Sequence, residues 1–62
     1  MFRVRFPDGH SVDVTGDQVE VGSSGETVIW REVVVANTPR RIVARRFDAR
    51  DQITVEVLAQ HR

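Results

Sequence analysis

The stretch Phe2-Arg3-Val4-Arg5-Phe6-Pro7-Asp8-Gly9-His10-Ser11-Val12-Asp13-Val14 decides the fold class of this chain. Phe2, Val4 and Phe6 alternate with Arg3 and Arg5, and a second alternating run follows from His10 to Thr15. Strict apolar/polar alternation marks a half-buried strand. Pro7-Asp8-Gly9 between the runs is turn chemistry: Pro presets φ, Asp tolerates the next position, and Gly accepts the left-handed one. A three-residue loop of this kind, a type I turn with a glycine bulge, places Phe6 opposite His10. Val4 then faces Val12, Phe2 faces Val14, Arg3 faces Asp13 and Arg5 faces Ser11. The apolar residues share one face, and the opposed charges on the other add roughly 0.2–1 kcal/mol per pair.

The same pattern continues. Turn signals recur at Thr15-Gly16-Asp17, Gly22-Ser23-Ser24-Gly25, Asn37-Thr38-Pro39 and Asp48-Ala49-Arg50-Asp51. Between them lie short runs dense in Val, Ile, Thr and aromatics. Strands are predicted at about 2–6, 10–15, 18–22, 26–36, 40–47 and 52–58. Glu26 to Ala36 also admits a helix capped by Ser23 or Ser24. The β-branched Val28, Ile29, Val33, Val34 and Val35 favour strand.

Two charged doublets, Arg31-Glu32 and Arg45-Arg46, interrupt that pattern. If each is a kink or bulge, Val28, Trp30, Val33 and Val35 share a face, as do Ile42, Ala44 and Phe47. A turn centred on Thr38-Pro39 sets the doublets opposite each other. That predicts a coordinated bend with Glu32 beside Arg45 or Arg46.

The 62 residues make one domain. A chain this short needs a staple, since below about 70–80 residues one core rarely supplies more than roughly 3–5 kcal/mol. The absence of Cys removes disulfides and cysteine zinc sites, and His10 and His61 are too few for a His-based metal centre. No metal or cofactor is expected. What remains is self-association, most simply a homodimer, or closure of the sheet edges. No apolar run approaches the roughly 18 residues that span a membrane. With Met1 leading directly into a strand and no leader pattern, the chain reads as a complete cytoplasmic protein. All nine basic residues are Arg, for which codon bias in a GC-rich genome is the simplest explanation.

The net charge of zero is unevenly distributed: residues 1–30 carry −3 and residues 31–62 carry +3. Arg40, Arg41, Arg45 and Arg46 form the densest basic stretch, and Arg matches phosphate geometry. Beside Trp30 and Phe47 they could hold single-stranded nucleic acid, with bases stacked on the rings. In a regular strand Arg41 and Arg45 point one way, Arg40 and Arg46 the other. The competing reading is solvated edges bridged to the acidic half. Trp30, the only Trp, reads as a packing anchor, or as an interface hot spot if exposed. The Val-rich strand through Val33 and Val35 is apolar on both faces, as in a strand that is central or covered by a partner. A free edge there would template strand addition.

Catalytic patterns are absent. His10, Ser11 and Asp13 have triad residue types, but adjacent strand residues point to opposite faces. His10 reads as a residue at the sheet rim. Asp13/Asp17 and Asp48/Asp51 sit at turns, where Asp bonds its own backbone. Gly22 to Gly25 lacks the Lys and helix of a phosphate loop.

The reading is an all-β domain of five or six antiparallel strands, a bent barrel or sandwich in the SH3-like or Sm-like size class. That likeness is one of architecture and carries no function. The expected role is a non-catalytic protein-interaction module acting through strand addition or homodimerisation, with Trp30, Val33 and Val35 as contacts. The alternative is a nucleic-acid binder using Arg40, Arg41, Arg45 and Arg46.

Overall fold

In a computed structural model that describes residues 1–58, the chain forms six strands and one 3₁₀ turn. The strands are β1 (Phe2–Arg5), β2 (Ser11–Val14), β3 (Gln18–Val21), β4 (Thr27–Val35), β5 (Thr38–Phe47) and β6 (Thr54–Val57). The turn η1 (Ala49–Asp51) lies between β5 and β6. The helix alternative for Glu26 to Ala36 is excluded, because this β-branched segment is β4. His61 lies outside the described residues.

The first hairpin has the predicted register throughout: Phe2 opposite Val14, Arg3 opposite Asp13, Val4 opposite Val12, Arg5 opposite Ser11. Phe6 N–H donates to the His10 carbonyl at 2.9 Å, and Gly9 carries φ +98°. On the outer face Arg3 Nε reaches Asp13 Oδ1 at 3.0 Å. β6 pairs with the other side of β1, Val4 opposite Val55, giving a sheet in the order β2-β1-β6.

The second sheet has the order β3-β4-β5. Its long hairpin departs from the sequence reading. The turn is Ala36-Asn37, with Val35 opposite Thr38. Both turn residues have positive φ, 50° and 63°, as a two-residue primed turn requires. Pro39 therefore sits in β5 opposite Val34, with no cis bond. The charged doublets do not meet. Glu32 faces Arg41, Arg31 faces Ile42, and Arg45 and Arg46 face Ile29 and Val28.

The predicted bend exists in one strand only. The register shifts between Ile29 and Trp30, where Arg45 and then Val43 are the partners, so Ala44 is the extra residue of a bulge in β5. β4 runs through Arg31-Glu32 without a kink. The expectation of a kink assumed that alternation there would bury a charge. Both residues are exposed, because this part of the strand lies beyond the core. Val33 and Val35 consequently share a face with Ile29, not with Val28 and Trp30. Ile42 and Phe47 do share a face, and Ala44 packs on the core beside them.

The core draws on both sheets: Phe2, Val4 and Val14 from the first, Ile29 and Phe47 from the second. Ile29 and Val4 are wholly buried. No strand of one sheet is hydrogen-bonded to a strand of the other among the described residues, so no closed barrel forms. Trp30 is half-buried and lies outside the core cluster, so the anchors are Phe2 and Phe47 instead. Gly16 links β2 to β3 at a close approach. A Cβ there would collide with Ile29 Cγ2 and stand 3.0 Å from the Trp30 carbonyl oxygen.

Candidate functional site: the β4–β5 ribbon

β3 pairs with β4 only from Thr27 to Trp30. Beyond that point β4 and β5 continue as a two-stranded ribbon, Arg31–Val35 against Thr38–Ile42. Asp17 marks the end of the cover. Its N–H donates to the Trp30 carbonyl at 2.8 Å, and its carboxylate accepts from the Glu32 N–H at 2.7 Å. Val34, Val35, Ile42 and Val43 are 68%, 52%, 45% and 41% exposed, which identifies the ribbon as the main apolar surface of the hairpin.

The register sorts its side chains into two unlike faces. The inner face, continuous with Ile29 and Phe47, carries Arg31, Val33, Val35, Thr38, Arg40, Ile42 and Arg45. It has three arginines and no acid. The outer face carries Trp30, Glu32, Val34, Pro39, Arg41, Val43 and Arg46. The bulge at Ala44 thus changes the predicted grouping: Arg40 joins Arg45, and Arg41 joins Arg46. Trp30 and the pair Val33 and Val35, expected to act together, lie on opposite faces. Arg31 was read as half of a kink and missed as a member of the cationic face. Its parity relative to Val33 and Val35 is the signal that places it there.

On the outer face, Arg41 Nη2 bonds Glu20 Oε1 at 2.8 Å. Its guanidinium lies over the Trp30 ring, 4.9 Å from the centroid. Trp30 Nε1 is buried with no acceptor among the described residues. On the inner face, Arg45 lies 5.1 Å from the centroid of Phe47, which is itself buried. Neither ring offers an open stacking platform. The arrangement expected for single-stranded nucleic acid is therefore not assembled.

Charge is partitioned between the hairpin from Trp30 to Arg46, which holds the ribbon and its junction with the three-stranded sheet, and the rest of the chain. Residues 30–46 hold five Arg and one Glu, a balance of +4, so the rest of the chain carries −4. In the body Arg3, Arg5 and Arg50 pair with Asp13, Glu56 and Asp48. In the ribbon only Arg41 is paired. Arg31, Arg40, Arg45 and Arg46 make no ion pair among the described residues.

Both ribbon edges resist strand addition. Alternation of backbone direction turns Val34 and Glu32 of β4 outward. Asp17 already holds the Glu32 N–H, so Val34 is left alone on that edge. On β5, Pro39 faces outward and has no N–H to give. The bulge at Ala44 interrupts the same edge further along. The edge template expected from the sequence is thus shortened by Asp17 and Pro39, while Arg41, which faces outward on β5 like Pro39, remains part of it.

Elsewhere the polar groups have local duties. Asp48 and Asp51 form a capping box around η1, with Asp48 Oδ1 accepting from Arg50 N–H at 3.1 Å and Asp51 Oδ2 from Asp48 N–H at 3.0 Å. A cleft of about 470 Å³ beside them is lined by Glu26, Arg46 and Phe47. Its two aspartates are committed to backbone. His10 is exposed at the rim, stacked on Phe6 at 4.3 Å and bonded to Asp8. The His10 backbone N–H, then its ring, hold the Asp8 carboxyl below its ordinary range. The Arg3 guanidinium does the same for Asp13. No cluster of metal-ligating side chains occurs among the described residues. No helix among them is long and apolar enough to cross a membrane. Comparison with protein-family models, with curated proteins and with solved structures finds no match for this chain.

Proposed function

We propose that this protein is a cytoplasmic, non-catalytic interaction module that works as a homodimer, joined through the outer face of the β4–β5 ribbon. The two sheets act as layers of an open, bent sandwich from which the ribbon overhangs. The observation that carries this reading is the ribbon itself. Among the described residues it has no third strand along Arg31–Val35, yet Val34 on its outer face and Val43 at its base lie exposed. A lone two-stranded ribbon is marginal in water. A body with six buried hydrophobic residues among those described has little stability to lend it.

The outer face suits a copy of itself. Glu32 lies directly opposite Arg41, so a two-fold axis through the face sets each Arg41 against the other protomer's Glu32. Trp30, Val34, Pro39 and Val43 supply the apolar contact around them. The inner face does not suit self-association, because it would bring three uncompensated arginines of each copy together.

Light-scattering chromatography over a concentration series tests this. The wild type should be a dimer that added salt does not dissociate. Val34→Glu, on the outer face, should give a monomer, whereas Val35→Glu, one residue away on the inner face, should leave the dimer intact. A wild type that is monomeric at every concentration, or a dimer broken only by Val35→Glu, would overturn the proposal.

A further inference from the structure

We infer that the inner face of the β4–β5 ribbon is a docking surface for duplex DNA, which it enters at the major groove through Arg31, Arg40 and Arg45. The inference goes beyond the dimer, since it concerns the opposite face and different residues.

Charge comes first. Arg31 lies across the ribbon from Ile42, and Arg40 from Val33, so the two arginines sit diagonally on one face with Arg45 nearer the body. No acid shares that face, and none of the three has a carboxylate partner among the described residues. The three arginines of the described body are all paired. Arg31 and Arg40 lie on the projecting ribbon and Arg45 at its base, and a neutral protein that leaves its positive charge unpaired on one such face has an anionic partner to meet there.

Shape and side-chain chemistry then select among anions. The element is a ridge two strands wide, not a cleft or a flat sheet. Its strands lie about 4.8 Å apart and run about 17 Å from Trp30 to Val35. The B-DNA major groove, about 12 Å wide, admits a two-stranded β-ribbon, whereas the RNA major groove is too narrow. Arginine forks match phosphate oxygens and the guanine edge, and Val33, Val35 and Ile42 between them suit thymine methyl groups. Single strands are disfavoured, because Phe47 is buried and Trp30 lies on the far face beneath Arg41.

Fluorescence anisotropy with a mixed-sequence duplex of about 20 base pairs, roughly two helical turns, tests the proposal. Three phosphate-neutralising arginines per ribbon give a slope of log K against log salt near −2.7, so affinity should fall about 40-fold between about 50 and 200 mM salt. Arg40→Gln should cut that to about 12-fold, by removing one contact. The triple change Arg31→Gln, Arg40→Gln and Arg45→Gln should abolish binding while circular dichroism and dimer mass stay unchanged. Arg5→Gln, which touches only the body pair, should bind within twofold of wild type. Val34→Glu separates the two proposals: duplex binding by that monomer supports the inner-face site whatever becomes of the dimer. The inference is overturned by salt-insensitive binding, by tighter binding to the matching single strand, or by equal affinity for heparin or polyglutamate, which would mean an acidic or polyanionic partner. Undiminished binding by the folded triple variant would overturn it too.

Discussion

Gly16→Ala is the sharpest single test of how the two sheets meet. Gly16 is buried, its φ is not positive, and the space that a Cβ would occupy is held by Ile29 Cγ2. Ile29 is wholly buried and cannot swing outward. The Trp30 carbonyl oxygen, 3.0 Å away on the same strand, blocks the alternative of sliding β4 past the new methyl. Forcing a methyl into such a site costs about 1–3 kcal/mol. Losing the conformational freedom of glycine in the unfolded chain returns about 0.4–1 kcal/mol. The overlap falls on a wholly buried side chain, so the cost lies in the upper half of that range, about 2–3 kcal/mol, and the net loss is about 1–2.6 kcal/mol, a large share of the roughly 3–5 kcal/mol that a core of this size supplies. At about 4–8 °C per kcal/mol, the midpoint should drop by about 4–21 °C. Thermal unfolding at one fixed protein concentration is the assay, since dimerisation would make the midpoint concentration-dependent. The cause is isolated by repeating the change in an Ile29→Ala background, with trimethylamine oxide added to keep that variant folded. There most of the loss should vanish. Gly9→Ala is the contrast: it meets nothing within 4 Å but holds φ +98°, so its cost of about 1–2 kcal/mol comes from the backbone and Ile29→Ala should not relieve it. A Gly16→Ala protein as stable as wild type, or a loss undiminished by Ile29→Ala, would refute the close-approach argument.

Three further outcomes are expected. Ala36 holds a left-handed φ of 50° that alanine disfavours, so Ala36→Asn should stabilise by about 0.5–1 kcal/mol; an unchanged or lower midpoint in thermal melts would contradict the primed turn. Arg41→Ala removes both the Glu20 pair and the cover over Trp30, and should cost about 1 kcal/mol and shift the emission of the only Trp to the red. Asp8 and Asp13 are held below their unfolded range of about 3.9, so their stabilisation is complete above that value and lost as pH falls through the folded values. Melts from pH 6 downward should therefore show a falling midpoint in acid, and Asp13→Asn should flatten that fall.

The first hairpin was legible to the residue because everything that sets it is local. Pro7-Asp8-Gly9 fixes the loop, alternation fixes the face, and Arg3 and Asp13 agree with both. The strand identity of Thr27–Val35 was legible for a similar reason, since a run of β-branched residues disfavours helix wherever it lies. What sequence could not supply was the extent of the core. Kinking β4 at Arg31-Glu32 follows if both flanks are buried. Once Asp17 ends the cover at Glu32, the alternation needs no repair, because Arg31, Glu32, Val34 and Val35 are exposed and Val33 is only half-buried. The same ignorance made Trp30 an anchor: it sits one residue from wholly buried Ile29, and adjacent strand residues point to opposite faces. Gly16 read as turn punctuation, although its role is set by a side chain 13 residues away in sequence.

Pro39 shows how one turn decides a site. Asn37-Thr38-Pro39 contains two residues that punctuate turns, and centring the turn on Thr38-Pro39 uses the proline as a breaker. The chain turns two residues earlier, on Ala36-Asn37. That choice moves every partner from Trp30 to Val35 by four positions, an even number, so faces are preserved there while pairings change; beyond the bulge, from Thr27 to Ile29, the shift is three. Glu32 then meets Arg41 in place of Arg45, and the bulge at Ala44 brings the unpaired Arg45 in line with Arg40 and Arg31. The physical criterion that selects this register is the proline itself. Opposite Val34, its missing N–H points to the open side of β5, where no ladder bond is lost and one donor is withheld from an added strand. Asn37 supplies the left-handed position that a two-residue turn needs. A proline read as an edge guard, with the turn assigned to the asparagine before it and a bulge at Ala44, gives an inner face with three arginines and no acid and an outer face on which Glu32 lies opposite Arg41. The two proposed uses of the ribbon rest on that one register.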